Sequence, residues 1–475
     1  MPVQKVRLIL LAVCWAGVVT FGIYVAEPVS SQDDRPNVLI IVTDDQRERD
    51  EMGVMPKTLR IFGEEGTRFT HAFASTPQCC PSRASIFTGR YAHNHGVRRN
   101  QDGLQMNQMV TTQRYVQQRA GYKTALVGRY LNAWPVAEDP PFFDKWALFN
   151  AGYWNNGFNI DGELTEIEQY ATDFIGDQSI EFLREFEEED DAQPWLMYVT
   201  VTAPHFPFYA SGEYEDAEVP VWESNPSLEE DNIGDKAGFV AKVGYDPANG
   251  EDIYNRRLRT LMSADDMVEE IFDALGEMGE DQDTLAIFVS DNGFLLGEHG
   301  LYAKRLPYTE SIHVPFYVRW PGRVDAGVTD DRLVSNIDIA PTILDVAGIK
   351  TPDRMDGKSF LPILQGKKIP WRDAAFYEYY WERNFPHTPT THGVRTDRYK
   401  YIHYHGVWDI DELYDLKNDP EEMKNLIDSP EHQKLVKQLN KRMFDWLEKT
   451  DGMLIPLRRD SGGRAVDRNP DKIRK

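Results

Sequence analysis

Sulfur is scarce in this chain of 475 residues: Cys14, Cys79 and Cys80 are its only three cysteines. A long-range disulfide framework is therefore excluded, and no cluster of Cys and His stands at zinc spacing. Basic residues are also few, 52 against 77 acidic ones, for a formal charge of -25. That balance repels nucleic acid and anionic membrane surfaces and argues against both as partners. An anionic substrate needs a local cationic pocket. Charge is absent from Leu8 to Ala26, an apolar run that follows Lys5 and Arg7 and precedes a polar stretch. The pattern reads as an export signal, with cleaved signal peptide and retained N-terminal membrane anchor both open. The rest of the chain is expected outside the membrane, whether secreted, periplasmic or anchored at the cell surface.

What is present in quantity is a set of short apolar runs bounded by turn residues: "NVLIIVTDDQ" (37–46), "KTALVGRY" (123–130), "PWLMYVTVTAPH" (194–205), "TLAIFVSDNG" (284–293) and "HVPFYVRWPG" (313–322). Nearly continuous Val, Leu and Ile predicts strands buried on both faces, as in a parallel sheet. Helical spacing of apolar residues appears between them, at Ile175, Ile180, Leu183 and Phe186, and from Leu258 to Leu275. Strands alternating with helices predict an α/β fold with a large, mostly parallel central sheet flanked by helices.

Four of these runs end in polar groups: Asp44 and Asp45, Arg129, His205, and Asp291 with Asn292. Ligands of open α/β sheets bind beyond the carboxyl ends of strands, so these termini are expected to converge on one site. Adjacent carboxylates repel one another without a cation. Asp44, Asp45, Asp291 and Asn292 offer only oxygen, which favours Ca²⁺ or Mg²⁺ over zinc.

Cys79 and Cys80 stand side by side before Pro81-Ser82-Arg83. A vicinal disulfide, half of a metal site and a pair of buried small apolar residues are all open readings. The following "ASIFTGR" predicts a helix starting just after the pair, whose positive N-terminal end would lower a thiol pKa and attract an anion.

The stretch Cys79-X-Pro81-Ser82-Arg83, continued by "ASIFTGR", resembles the signature of type I sulfatases, in the alkaline-phosphatase-like superfamily. "RPNVLIIVTDDQ", "TAPHFPF", "VSDNGFLLGEHG", "NIDIAPTILDVAG" and "ELYDLKNDPEEMKNL" are similar to sulfatase segments in family order. "CCPSRASIFTGRYAHNHGV" and "GRYLN" resemble the N-acetylglucosamine-6-sulfatase branch and its extracellular endosulfatase relatives.

The resemblance implies that a dedicated maturation enzyme oxidises Cys79 to formylglycine, whose hydrated aldehyde is the nucleophile. It implies a metal site of Asp44, Asp45, Asp291, Asn292 and the modified Cys79, holding Ca²⁺ rather than Mg²⁺. Arg83 is then expected to polarise the hydrated aldehyde. Lys304 is expected on the substrate sulfate, and His205 as general acid to the leaving alcohol and as a substrate contact. The family's Gly-Lys-Trp-His is replaced by Gly128-Arg129-Tyr130-Leu131. Arg129 keeps the charge for sulfate with a different geometry. Leu131 cannot act as a base, and His95 is expected in that role, although His93 and His95 serve equally well as packing at a helix end. The implied mechanism is a double displacement. One aldehyde hydroxyl attacks sulfur, and the second later drives sulfate out, a route serine lacks.

Four parts are expected: a leader over residues 1–34, a catalytic domain over 35–370, a smaller antiparallel-sheet subdomain with a helix over 371–450, and a basic tail over 451–475. His387 and His392, in a loop over 382–397, are expected near the substrate. The implied activity is sulfate ester hydrolysis on a sulfated glycan carrying 6-O-sulfated N-acetylglucosamine. Phosphonate or phosphate ester hydrolysis and silent binding of sulfated glycans are the alternatives.

Overall fold

Ten strands build the main sheet of the computed structural model, which describes residues 35–190, 192–243, 249–406 and 410–456. In chain order they are β1 (Asn37–Thr43), β2 (Thr67–Phe69), β3 (Lys123–Arg129), β4 (Lys145–Phe149), β5 (Asn156–Ile160), β6 (Glu163–Ile167), β7 (Trp195–Thr200), β8 (Thr284–Ser290), β9 (Phe316–Arg319) and β10 (Val328–Asp330). Their spatial order is β10-β2-β9-β8-β1-β7-β3-β4-β5-β6. The five central strands, from β8 to β4, are mutually parallel.

The apolar runs form strands because both faces are covered, and successive side chains serve opposite faces. Val38, Ile40 and Val42 join one core with helices α1 (Cys79–Thr88), α2 (Thr112–Ala120) and α5 (Ile339–Val346). Leu39 and Ile41 join the other with α3 (Ala171–Asp190) and α4 (Gly250–Met278). Burying each such side chain contributes about 1.5–3 kcal/mol.

The fifth run departs from the expected parallel arrangement, because β9 pairs antiparallel with β8, with Val318 opposite Ile287. Between β8 and β9 the only α-helical stretch is Thr309–Ile312, too short for the crossover a parallel neighbour requires.

A second sheet is antiparallel and four-stranded, in the order β11 (Ala375–Tyr379), β12 (Thr391–Arg395), β13 (Tyr399–Tyr404), β14 (Glu412–Asp415). Helix α6 (Gln433–Lys449) covers it through Leu439, Met443, Trp446 and Leu447. The segment read as a loop over 382–397 thus contains β12, an inner strand. No helix among the described residues is long and apolar enough to cross a membrane, and the apolar run from Leu8 to Ala26 lies outside those residues.

Candidate active site

The strand order makes neighbours of the four polar strand ends. Reading across β8, β1, β7 and β3, the chain presents Asp291 and Asn292, then Asp44 and Asp45, then His205, then Arg129. Backbone bonds lock the ends together: the Asp291 amide donates to the Thr43 carbonyl at 3.0 Å, and the Asp44 amide to the Ala203 carbonyl at 3.0 Å. Asp45 adopts a left-handed φ of 72°. Its amide donates to Asp291 Oδ1 at 3.1 Å, while Arg257 Nη2 donates to its carbonyl at 2.6 Å. At the end of β3, Gly128 has a φ of 106°, and a Cβ there would meet the Thr200 carbonyl oxygen at 1.9 Å.

Helix α1 brings Cys79 over these ends. Its first turn contains the cysteine pair itself, so the helix begins earlier than the sequence suggested, with Gln78 at the cap position. Both thiols are free and buried. Cys79 Sγ lies 3.2 Å from Asp44 Oδ1 and 3.8 Å from Asp45 Oδ1, and Lys304 Nζ donates to it at 2.8 Å. The thiol pKa is not lowered as the helix terminus suggested. Burial pushes it up to about 12, against the pull of Lys304, with the charges of Asp45 and Asp291 adding to the rise.

Three carboxylates here face three cations. Arg83 donates through Nε to Asp291 Oδ2 at 2.9 Å and through Nη2 to Asp44 Oδ2 at 3.2 Å. Its Nη1 reaches the Arg129 carbonyl at 3.1 Å. Arg129 pairs with Asp44, and its Nε donates to the Asn150 carbonyl at 2.7 Å. Lys304 pairs with Asp45. Burial alone would raise the Asp45 pKa, but the charges of Lys304 and His205 hold it below the usual carboxylate range.

His205 Nε2 lies 3.7 Å from Asp45 Oδ2, and its Nδ1 donates to the Phe206 carbonyl at 2.7 Å. Burial lowers its pKa to about 4, helped by Lys304 and Arg129 and opposed by Asp45.

The donor set suits a hard cation. One oxygen or sulfur atom from each of Asp44, Asp45, Cys79 and Asp291 falls within 4.8 Å of the others. Asn292 donates to Asp45 Oδ1 at 2.6 Å, while its own Oδ1 is buried without a hydrogen-bond partner. An orphaned buried acceptor beside three carboxylates fits an oxygen-liganded divalent ion.

The remaining expected residues lie elsewhere. His95 Nε2 donates to Ser85 Oγ at 3.2 Å, and its Nδ1 accepts from the Val97 amide at 3.1 Å. Ser85 stands six residues along α1 from Cys79, roughly 9 Å of helix rise. Burial lowers the His95 pKa to about 3. His93 bonds Glu378 at 2.7 Å. His392 is fully buried on β12, with Nδ1 2.8 Å from His405 Nε2. His387 is half-buried in the loop before β12.

Sequence reading missed Arg257 and Glu51. Arg257 lies fully buried on α4, donates to Glu51 at 2.7 and 3.0 Å, and holds the Asp45 backbone. Its signal was an arginine in the apolar stripe with Leu261 and Ala264 at helical spacing. Glu382 was missed too: it accepts from Gln78 Nε2 at 2.5 Å and from Arg305 Nε at 2.9 Å.

A family model described as Sulfatase matches residues 36–349, and one described as N-sulphoglucosamine sulphohydrolase, C-terminal, matches 297–449. The extracellular sulfatase SULF-1 homolog of Drosophila melanogaster is 34% identical over 72% of this chain, which spans 32% of that protein's length. An N-acetylglucosamine-6-O-sulfatase of Bacteroides thetaiotaomicron is 30% identical, covering 87% of this chain and 86% of its own. A solved protein in complex with its substrate D-glucosamine-2-N,6-O-disulfate superposes with a TM-score of 0.78 at 26% identity, over 88% of this chain and 98% of the other.

Proposed function

From the premise that this chain belongs to the sulfatase family, we propose that it hydrolyses sulfate esters of a sulfated glycan, with 6-O-sulfated N-acetylglucosamine as the unit attacked. The observation that carries the reading is Cys79 at the head of α1, contacted at once by Lys304, Asp44 and Asp45. The Cys79-X-Pro81-Ser82-Arg83 signature within the matched family segment supports Cys79 acting as the precursor of formylglycine.

Asp44, Asp45, Asp291 and Asn292 would hold Ca²⁺, which supplies Lewis-acid stabilisation of sulfate oxygens. With that positive charge on the carboxylates, Lys304 and Arg129 are released from neutralising them and can meet an anionic substrate. Arg83 keeps Asp44 and Asp291 at fixed separation. His205 presents Nε2 toward the same point, because Nδ1 is committed to the Phe206 carbonyl. As general acid it must carry a proton on Nε2, which an approaching anion favours. The expected domain limits and export of the folded part belong to the same proposal, as does a maturation enzyme acting on Cys79.

The test is a mass measurement of the Cys79 peptide from native protein, paired with turnover of an aryl sulfate and an aryl phosphate diester. Formylglycine at residue 79 and preference for the sulfate are expected. An unmodified thiol in active protein, or full activity in Cys79→Ala, refutes the reading.

A further inference from the structure

Arg98, Arg99, Asp102, Gln105, Tyr380 and Trp381 line a cavity of about 360 Å³. Its size falls near the lower end of small-molecule sites, roughly 300 to 1,000 Å³. Both walls are tied to the immediate neighbours of Cys79. The Cys80 amide donates to Asn100 Oδ1 at 3.1 Å on one side. On the other, Gln78 Nε2 donates to Glu382, next to Trp381, at 2.5 Å.

The two arginines differ in charge balance. Arg99 is neutralised by Asp102, through Nε and Nη2 at 2.9 Å each, and Asp102 also accepts from Gln105 at 3.1 Å. Arg98 is held by the face of Tyr380, its guanidinium carbon 4.9 Å from the ring centroid. No carboxylate among the described residues pairs with it, and its Nε is buried without a hydrogen-bond partner. Nε of this half-buried guanidinium is thus a donor without an acceptor, and a guanidinium binds planar or tetrahedral oxyanions through paired donors. In a chain of net charge -25, such an uncompensated cation is a selective feature rather than a general one.

We propose that this cavity is a subsite for an anionic group, carboxylate or sulfate, on the sugar adjoining the one that bears the scissile ester. The inference rests on the sulfatase reading above. Arg98 is the specificity-determining residue, Tyr380 holds its plane, and Asp102 keeps Arg99 from competing for the anion.

The test compares kcat/KM of the wild type and Arg98→Ala on four substrates. One is 6-O-sulfated N-acetylglucosamine alone. The others are disaccharides whose second sugar carries a carboxylate, a sulfate, or the carboxylate reduced to an alcohol. Loss of about tenfold or more through KM is expected on the carboxylate or the sulfate disaccharide. Less than about twofold change is expected on the neutral disaccharide and the monosaccharide. Whichever anionic arm responds identifies the group. Equal losses on all four substrates, or none on either anionic one, overturn the proposal. Asp102→Asn, which frees Arg99, should strengthen the same preference and provides a second reading if Arg98→Ala does not fold; an unchanged preference counts against the subsite. Titration of Cys79→Ala protein with the anionic and neutral disaccharides separates failure of this subsite from failure of the sulfatase reading, because it needs no turnover. Tighter binding of an anionic than of the neutral disaccharide, abolished by Arg98→Ala, supports the subsite even without hydrolysis, and equal binding refutes it.

Discussion

Acid should unfold this protein from its C-terminal sheet, where a histidine pair is buried. His392 Nδ1 and His405 Nε2 stand 2.8 Å apart, so one donates and the other accepts, and a proton on both breaks the bond. Burial, and secondarily the charge of His403, lower the His405 pKa from 6.5 to about 4, with Asp411 opposing. The unfolded chain therefore takes up this proton near pH 6.5 while the folded one refuses it until about pH 4. Stability from this group is complete above pH 6.5 and is lost as pH falls through that window. At roughly 1.4 kcal/mol per unit, the loss by pH 4 is about 3 kcal/mol from His405 alone. His392, also lowered by burial and by His405, acts with the same sign, as do Asp411 and Glu378, whose carboxyls are held low by the histidines beside them. His93 opposes: Glu378 raises its pKa against burial, so its contribution is present at acid pH and lost as pH rises. The perturbation is His405→Gln, which retains a polar group and removes the titration. Urea unfolding from pH 7 to pH 4 should show the wild type losing about 3 kcal/mol more than the variant, a slope difference of about one proton. Parallel curves for the two proteins would refute the linkage.

Gly128→Ala should cost roughly 2 to 5 kcal/mol, from left-handed strain and from the clash with the Thr200 carbonyl, and should displace Arg129; an unchanged urea midpoint contradicts the packing. Arg257→Met strands Glu51 in the core and releases the Asp45 carbonyl, so a loss of about 3–5 kcal/mol is expected together with reduced kcat. Arg257→Lys should recover part of both, and full activity in Arg257→Met would remove its positioning role. Chelation should lower the thermal midpoint and turnover together, with Ca²⁺ restoring both; a ligand at a hundred times its Kd contributes about 2.7 kcal/mol. A midpoint indifferent to chelator would dismiss the proposed cation.

The central strands and their polar ends were legible because runs such as "NVLIIVT" are buried on both faces, a condition that leaves few alternatives in composition. Adjacent strand ends then followed from the α/β arrangement, and the structure does set Asp44, Asp45, His205, Arg129, Asp291 and Asn292 side by side. The direction of β9 was not legible, since an apolar strand looks alike in either orientation and the short connection decides. Thr391–Arg395 falls inside the segment read as a loop, yet it gains both neighbours through tertiary pairing. Burial itself was the chief omission: it reverses the expected shift of the Cys79 thiol and takes His392 into the interior.

The central position of β1 also sets an order in time. Its partners β7 and β8 follow it in the chain, the second by more than two hundred residues. While the chain is being made, the strand Asn37–Thr43, apolar from Val38 to Val42, keeps one hydrogen-bonding edge bare until Thr284–Ser290 arrives. Such an edge is a template for pairing with any other extended segment. The same residues that place Asp44 and Asp45 at the middle of the sheet therefore make this chain hazardous to leave half-synthesised, and a late arrest before β8 should aggregate where one beyond β9 should not.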